Sequence, residues 1–237
     1  MARRSRRTPV SEETHSQMSS WLAENTRGKF TSVPRLDAST TLALMSVMHF
    51  KNTWINCLDN EETDMPFHAT SSTPTVTMMD GFSFYEDLIR EAGGTAVTWH
   101  MESGAQAVFA MPDETAGIEK FIGSGSAWSL ISRCRDRMCV NHPEGGGIEL
   151  VVPELDLKTE GMSLDSAMKA MRVRRVFSTE AQLGSLTEAD TMLDRTIQSS
   201  MLKLDPNGAE GAAFTQFACC AGALPMDPPE PVRIVFD

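Results

Sequence analysis

Lys203-Leu204-Asp205-Pro206-Asn207-Gly208-Ala209-Glu210-Gly211-Ala212-Ala213 opens a long segment that cannot bury much of itself. Asp205-Pro206-Asn207-Gly208 is a turn signal, because proline presets φ while asparagine and glycine tolerate the left-handed region. The run then continues through small residues and ends in Leu224-Pro225-Met226-Asp227-Pro228-Pro229-Glu230-Pro231. Small side chains offer little apolar area and prolines remove backbone donors, so an exposed, extended loop is expected from Asp205 to Glu230. Composition alone reads as a flexible linker. Alternation adds a second reading: Ala209, Gly211, Ala213 and Thr215 share one side of an extended chain and are modest enough for that side to slide between two strands. Glu210 and Phe214 fall on the other side. A loop that can become a strand is a candidate switch.

Working outward, these residues resemble the hinge of the serpins, the serine-protease-inhibitor superfamily. Other stretches match in the family's order. Gln17-Met18-Ser19-Ser20-Trp21-Leu22 with Asn25-Thr26-Arg27-Gly28-Lys29-Phe30 is similar to the end of the helix that crosses the main sheet. Thr41 to Trp54, containing Phe50-Lys51, resembles that sheet's central strand and its upper end. Thr63, Phe67, Val76-Thr77-Met78-Met79, Ala107 to Glu114, Leu150-Val151-Val152-Pro153 and Val176-Phe177-Ser178 follow. The resemblance covers nearly the whole chain.

It implies an α+β, partial serpin fold: one serpin-like domain over 1–237, mixed and antiparallel sheets with packed helices, a disordered basic tail at 1–10, and a hinge with reactive-centre loop at 205–231. It also implies that the family's N-terminal helices and early strands would precede Met1, and that its last core strands would follow Asp237. The implied mechanism is stoichiometric. A serine protease cuts the loop, the freed hinge of Gly208, Ala209, Glu210, Gly211, Ala212 and Ala213 enters the main sheet, and the acyl-enzyme is trapped before hydrolysis. Leu224 to Glu230 resembles the reactive site of the antitrypsin-like serpins, which gives Met226–Asp227 as the scissile bond and a chymotrypsin- or elastase-like target. Counting a usual loop length from Gly208 gives Gly222–Ala223 instead.

Trp54 marks by resemblance the place where the loop first enters the sheet. Ser46 stands where the family usually has a buried asparagine, and Gln198 where the opposing strand often has histidine. Glu154 and Pro206 occupy the positions of a Lys–Glu pair, and neither keeps the usual charge. These departures keep two alternatives open, a noninhibitory serpin-like binding protein and a degenerate fragment without inhibitory activity.

With 237 residues, 41% of them hydrophobic, the chain is long enough for one sizeable core or two small ones. A net charge of −11 argues against nonspecific nucleic-acid binding. Arg3, Arg4, Arg6 and Arg7 form a short terminal cluster, read as a solvated tail or a polyanion contact. No apolar run follows them, so no secretory signal is expected, and none is long enough to span a membrane. The family resemblance points to an extracellular protein, the missing signal to an intracellular one. Five cysteines, Cys57, Cys134, Cys139, Cys219 and Cys220, lack metal-ligand spacing and are expected mostly reduced.

Ser11 to Thr26 predicts a helix with Ser11 as N-cap, Glu12 and Glu13 in the first turn, Met18, Trp21 and Leu22 on the apolar face and Gly28 at the end. From Thr40 to Phe50 both faces are apolar, which predicts a central, covered strand. Short apolar runs from Glu61 to Glu114, punctuated by Asp80-Gly81, Gly93-Gly94 and Ser103-Gly104, predict an antiparallel meander. Gly117 to Met138 is weakly helical, with Ile118, Phe121, Ile122, Trp128, Leu130 and Ile131 expected inside and a break at Gly123-Ser124-Gly125. A strand over Ile148–Leu157, an amphipathic helix over Leu164–Val176 and a strand over Thr191–Leu204 complete the reading.

Catalytic constellations do not emerge. The five histidines form no His-x-x-x-His pair, and no Gly-x-Ser-x-Gly elbow is present. Gly145-Gly146-Gly147 lacks the Gly-Lys-Ser/Thr ending of a phosphate loop. The expectation is a protein that is not an enzyme, with no metal and no cofactor.

Overall fold

A computed structural model describes residues 11–59, 65–69, 71–84, 88–91, 93–113, 117–136, 146–209 and 230–237. Helix α1 spans Glu12–Asn25. Its start follows the capping rule, the Thr14 amide donating to Ser11 Oγ at 3.2 Å. At its end the Gly28 amide donates to Ala23 O at 2.8 Å, with Gly28 at φ +79°. Met18, Trp21 and Leu22 are half-buried.

The strands are β1 (Met65–Pro66), β2 (Thr75–Val76), β3 (Met78–Ser83), β4 (Leu88–Glu91), β5 (Gly94–His100) and β6 (Gln106–Pro112). Helices α2 (Ile118–Gly123) and α3 (Ser126–Asp136) follow, then β7 (Ile148–Pro153), β8 (Leu155–Ser163), helix α4 (Asp165–Ala170), β9 (Ile197–Asp205), β10 (Gly208–Ala209) and β11 (Val232–Val235). The fold class is α+β, as expected.

The chain forms two compact units: Met1–Phe50 with Leu157–Met201, and Lys51–Asp156 with Leu202–Asp237. The second unit is layered. One sheet, ordered β11-β7-β3, pairs β11 parallel and β3 antiparallel to β7. The other is the meander β4-β5-β6, with turns at Gly93 and Gly104, both at positive φ. Met79, Ile148, Leu150, Val152, Ile234 and Phe236 of the first sheet pack with Val97 and Trp99 of the second. On the meander's other face, Ile89 and Ala96 pack against Phe121, Ala127, Leu130 and Cys134 of α2 and α3. Each interior side chain of this size contributes about 1.5–3 kcal/mol of transfer free energy.

The first unit contains α1, the irregular segment 27–50, α4 and the outer parts of β8 and β9. Here the structure departs from expectation. Residues 41–50 form no strand, and Met48 is 93% and Leu44 75% exposed. Alternation of apolar residues predicts a strand only if a ladder and a cover exist. Among the described residues no ladder reaches this segment, and its cover is partial: Leu42, Met45 and Val47 are half-buried.

Three further corrections follow from packing. Asp80-Gly81 lies inside β3, where a Cβ on Gly81 would meet Cys57 O at 2.7 Å; this glycine serves close approach, not a turn. Ile118, Ile122 and Trp128 are exposed while Phe121 and Leu130 are buried, because only one side of the α2–α3 pair meets the meander. The helix expected over 164–176 stops at Ala170. Val173 N donates to Met168 O at 2.9 Å and Arg172 N to Lys169 O at 3.1 Å, a Schellman closure with Arg172 at φ +67°. A 3-10 turn, Arg175–Phe177, follows.

Candidate functional site

The turn at Asp205–Gly208, where the hinge is expected, is built from its own sequence. The Asn207 amide donates to Asp205 Oδ1 at 2.9 Å, so the aspartate side chain closes the turn that Pro206 initiates. β9 and β10 then pair as a tight hairpin, Gly208 opposite Asp205 and Ala209 opposite Leu204. Lys203 Nζ lies 2.9 Å from Asp205 Oδ2. Partial burial pushes the Asp205 carboxyl up, but the hydrogen bonds from Lys203 and the Asn207 amide outweigh it and hold the group below the usual carboxylate range. The bond to Asp205, followed by its charge, holds the Lys203 ammonium above the ordinary lysine value.

A second stretch completes the site. Asn52 and Ala209 exchange both backbone bonds, each at 3.0 Å, in an antiparallel bridge. Ala209 is therefore paired on both sides, by Leu204 and by Asn52, and is buried. Gly208, at φ +144°, leaves no room for a side chain: a Cβ there would collide with the Asn52 carbonyl and lie 2.9 Å from Thr53 Cα. Trp54 is buried, and its Nε1 donates to Asp205 O at 3.0 Å, anchoring the turn from beneath. Asn52 is itself fixed: its Oδ1 accepts from the Thr53 amide at 3.1 Å and its Nδ2 donates to Ser103 Oγ. Glu102 N to Thr53 O at 3.1 Å and Ile55 N to His100 O at 3.0 Å tie this stretch to the turn after β5.

Of the residues singled out in the sequence, Trp54, Gly208 and Ala209 meet here. Glu210, Gly211, Ala212 and Ala213, and the alternative reactive-site residues Met226–Asp227 and Gly222–Ala223, lie outside the described residues. Ser46 is exposed in the irregular segment, and Gln198 is exposed on β9. Sequence reading overlooked Asn52 and Ser103. No signal in the sequence marked Asn52, which sits in the polar run Lys51-Asn52-Thr53 just before Trp54.

Beyond the cradle, the edges matter. β9 is paired with β8 on one side, and on the other with β10 at Leu204 and Asp205. Ile197 to Lys203 carry no strand on that second edge among the described residues. Within the first unit, Thr41 Oγ1 and Thr191 Oγ1 are 2.8 Å apart. Among the described residues no cluster of histidine, cysteine or acidic side chains could hold a metal ion, and no helix is long and apolar enough to cross a membrane.

Comparison with known proteins agrees with this architecture. The profile of the serpin family, described as "Serpin (serine protease inhibitor)", matches residues 7–237. An alpha-1-antiproteinase of Callosciurus caniceps is 27% identical over 94% of this chain and 52% of its own length. Among solved structures, thyroxine-binding globulin in complex with thyroxine superposes with a TM-score of 0.71 at 21% identity, over 95% of this chain and 58% of the other. Human glycosylated kallistatin gives 0.71 at 18% identity, over 97% and 59%. The chain thus spans about half the length of the curated relatives it matches. With a profile match over almost its full extent and the family's fold, the chain belongs to the serpin family.

Proposed function

We propose that the protein acts as a serpin-type inhibitor of serine proteases, a suicide substrate for a chymotrypsin- or elastase-like enzyme. The single observation that carries this reading is the double pairing of Ala209 between Leu204 and Asn52. The first residues of the hinge are already a strand, antiparallel to both neighbours. Continued in the same direction, Glu210 to Ala213 would run back along the open edge of Ile197 to Lys203. Each backbone bond so formed would contribute about 0.5–1.5 kcal/mol. The alternating small residues Ala209, Gly211 and Ala213 suit the inward side of such a strand.

In this mechanism the target's serine attacks the loop carbonyl and the new amine leaves, giving an acyl-enzyme. Insertion competes with its hydrolysis. The chain supplies no catalytic group, only bait and a sheet that can close over it. We favour Met226–Asp227 over Gly222–Ala223 as the bond cut, because an apolar specificity pocket reads the methionine and finds nothing to read on glycine. An extracellular setting belongs to the same reading.

A noninhibitory serpin-like role is the second reading, favoured by one observation. Ser46 and Gln198 are both exposed, and no side-chain hydrogen bond joins them among the described residues. Incubation with chymotrypsin and with neutrophil-type elastase, followed by a denaturing gel and the mass of the released peptide, separates the two. A band at the summed mass, with a peptide beginning at Asp227, is expected. Clean cleavage without a complex would overturn inhibition in favour of the second reading.

A further inference from the structure

We propose that the turn closing α4 is a binding site for a phosphate or sulfate monoester on a small apolar carrier, held by Lys169 and Arg174 over Phe177. Lys169, Ala170, Arg174 and Phe177 line a solvent-open cavity of about 470 Å³. Two cations and two apolar surfaces therefore face one space. Cavities of roughly 300–1,000 Å³ are the size that small organic ligands occupy. An inorganic oxyanion would fill only part of it, which leaves Ala170 and Phe177 for the carrier.

The electrostatics favour an anion. Within seven residues, Lys169, Arg172, Arg174 and Arg175 bring four positive charges, in a chain whose net charge is −11. Among the described residues none of the four has a carboxylate partner. Arg174 Nε donates to Lys169 O at 3.3 Å and Arg175 Nε to Glu180 O at 3.1 Å, so both guanidinium groups are positioned while their terminal nitrogens keep donors to spare. Lys169 Nζ sits 4.9 Å above the Phe177 ring. That contact fixes the ammonium at the cavity wall without neutralising it.

Helix polarity does not oppose the assignment. The carbonyl ends of a helix repel anions. Here Ala167 O accepts from Met171 N, Met168 O from Val173 N, and Lys169 O from both Arg172 N and Arg174 Nε. Those carbonyls are already occupied. The same closure holds Arg172 at φ +67°, a left-handed position where glycine is favoured.

Calorimetric titration of the full chain with phenyl phosphate, phenyl sulfate, inorganic phosphate and inorganic sulfate tests the site. Saturable binding of at least one phenyl ester is expected, tighter than its inorganic anion, and the better ester identifies the source chemistry. Lys169→Gln and Arg174→Gln should each weaken it about threefold to fivefold, as for a solvent-exposed charge contact. Arg90→Gln, at an exposed position of β4 in the other unit, should leave it unchanged. Circular dichroism on each variant separates lost binding from lost folding. Absence of saturable ester binding, wild-type affinity in folded Lys169→Gln and Arg174→Gln, or equal affinity for ester and inorganic anion would overturn the proposal.

Discussion

β5 and β8 are strands with opposite surroundings. Six of the seven residues of β5 are buried, between the β11-β7-β3 sheet on one face and α2 and α3 on the other. Eight of the nine residues of β8 are exposed, and its partner β9 is exposed over Ile197 to Ser200. One strand is held by packing and the other mainly by its ladder. Apolar burial supplies most of the stability of a sheet, so the difference separates a strand that resists change from one whose ladder opens more easily. The hinge cradle lies where β9 passes from the second condition into the first: Leu204, Asp205 and Ala209 are buried, while Leu202 is exposed.

Substitutions can break this comparison, and the largest effect belongs to the packed side. Trp99 is fully buried and donates from Nε1 to Asn56 O at 2.9 Å. Trp99→Ala should cost about 3–5 kcal/mol in urea unfolding, whereas exposed Leu157→Ala on β8 should stay within about 0.5 kcal/mol. Equal costs would erase the distinction. Gly208→Ala comes next. Its Cβ would meet the Asn52 backbone and its φ is one only glycine adopts readily, so a loss of about 2–3 kcal/mol is expected, read from the unfolding midpoint and from exchange of the Asn52 and Ala209 amides. Retained protection of those amides would mean the cradle does not depend on this contact.

Arg172→Gly should move the other way. Relieving a left-handed arginine is expected to stabilise the fold by about 0.5–1 kcal/mol, measured as a rise in midpoint. The smallest effect concerns pH. Because the Asp205 pKa is depressed, its contribution is present above the unfolded value of 3.8 and is lost as pH falls through the folded value. Because the Lys203 pKa is raised, its contribution is present below 10.5 and is lost as pH rises through the folded value. Lys203 is partly solvated, so Lys203→Met should cost under about 1 kcal/mol between these limits. Outside them the variant and the parent should converge in stability.

Local chemistry made part of this legible in the sequence. The N-cap Ser11, the turn glycines Gly93 and Gly104, and the Asp205-Pro206-Asn207-Gly208 turn act through their own backbone, and each appears where its sequence signal placed it. Features set by a distant partner were not legible. Alternation over 41–50 specifies two apolar faces but not what covers them, and the structure leaves Leu44, Met48 and Phe50 exposed while Met45 and Val47 are half-buried. The parallel pairing of β11 with β7 depends on chain separated from it by more than seventy residues. Trp128 points away from the meander because α3 needs only one apolar stripe, met by Ala127, Leu130 and Cys134. In the cradle, Gly208 and Trp54 were legible through the family's pattern. Asn52 was not, since its importance arises from the Ala209 bridge and the Ser103 contact rather than from its neighbours in sequence.

The central claim is that the open edge of β9 receives the hinge as a strand. Hydrogen exchange measured by mass spectrometry before and after a protease cuts the loop tests this most directly. Insertion predicts new protection over Ile197 to Lys203 and over residues 41–50, together with a sharp rise in heat stability. Cleavage that leaves both stretches exchanging at their original rates, with an unchanged midpoint, would contradict it.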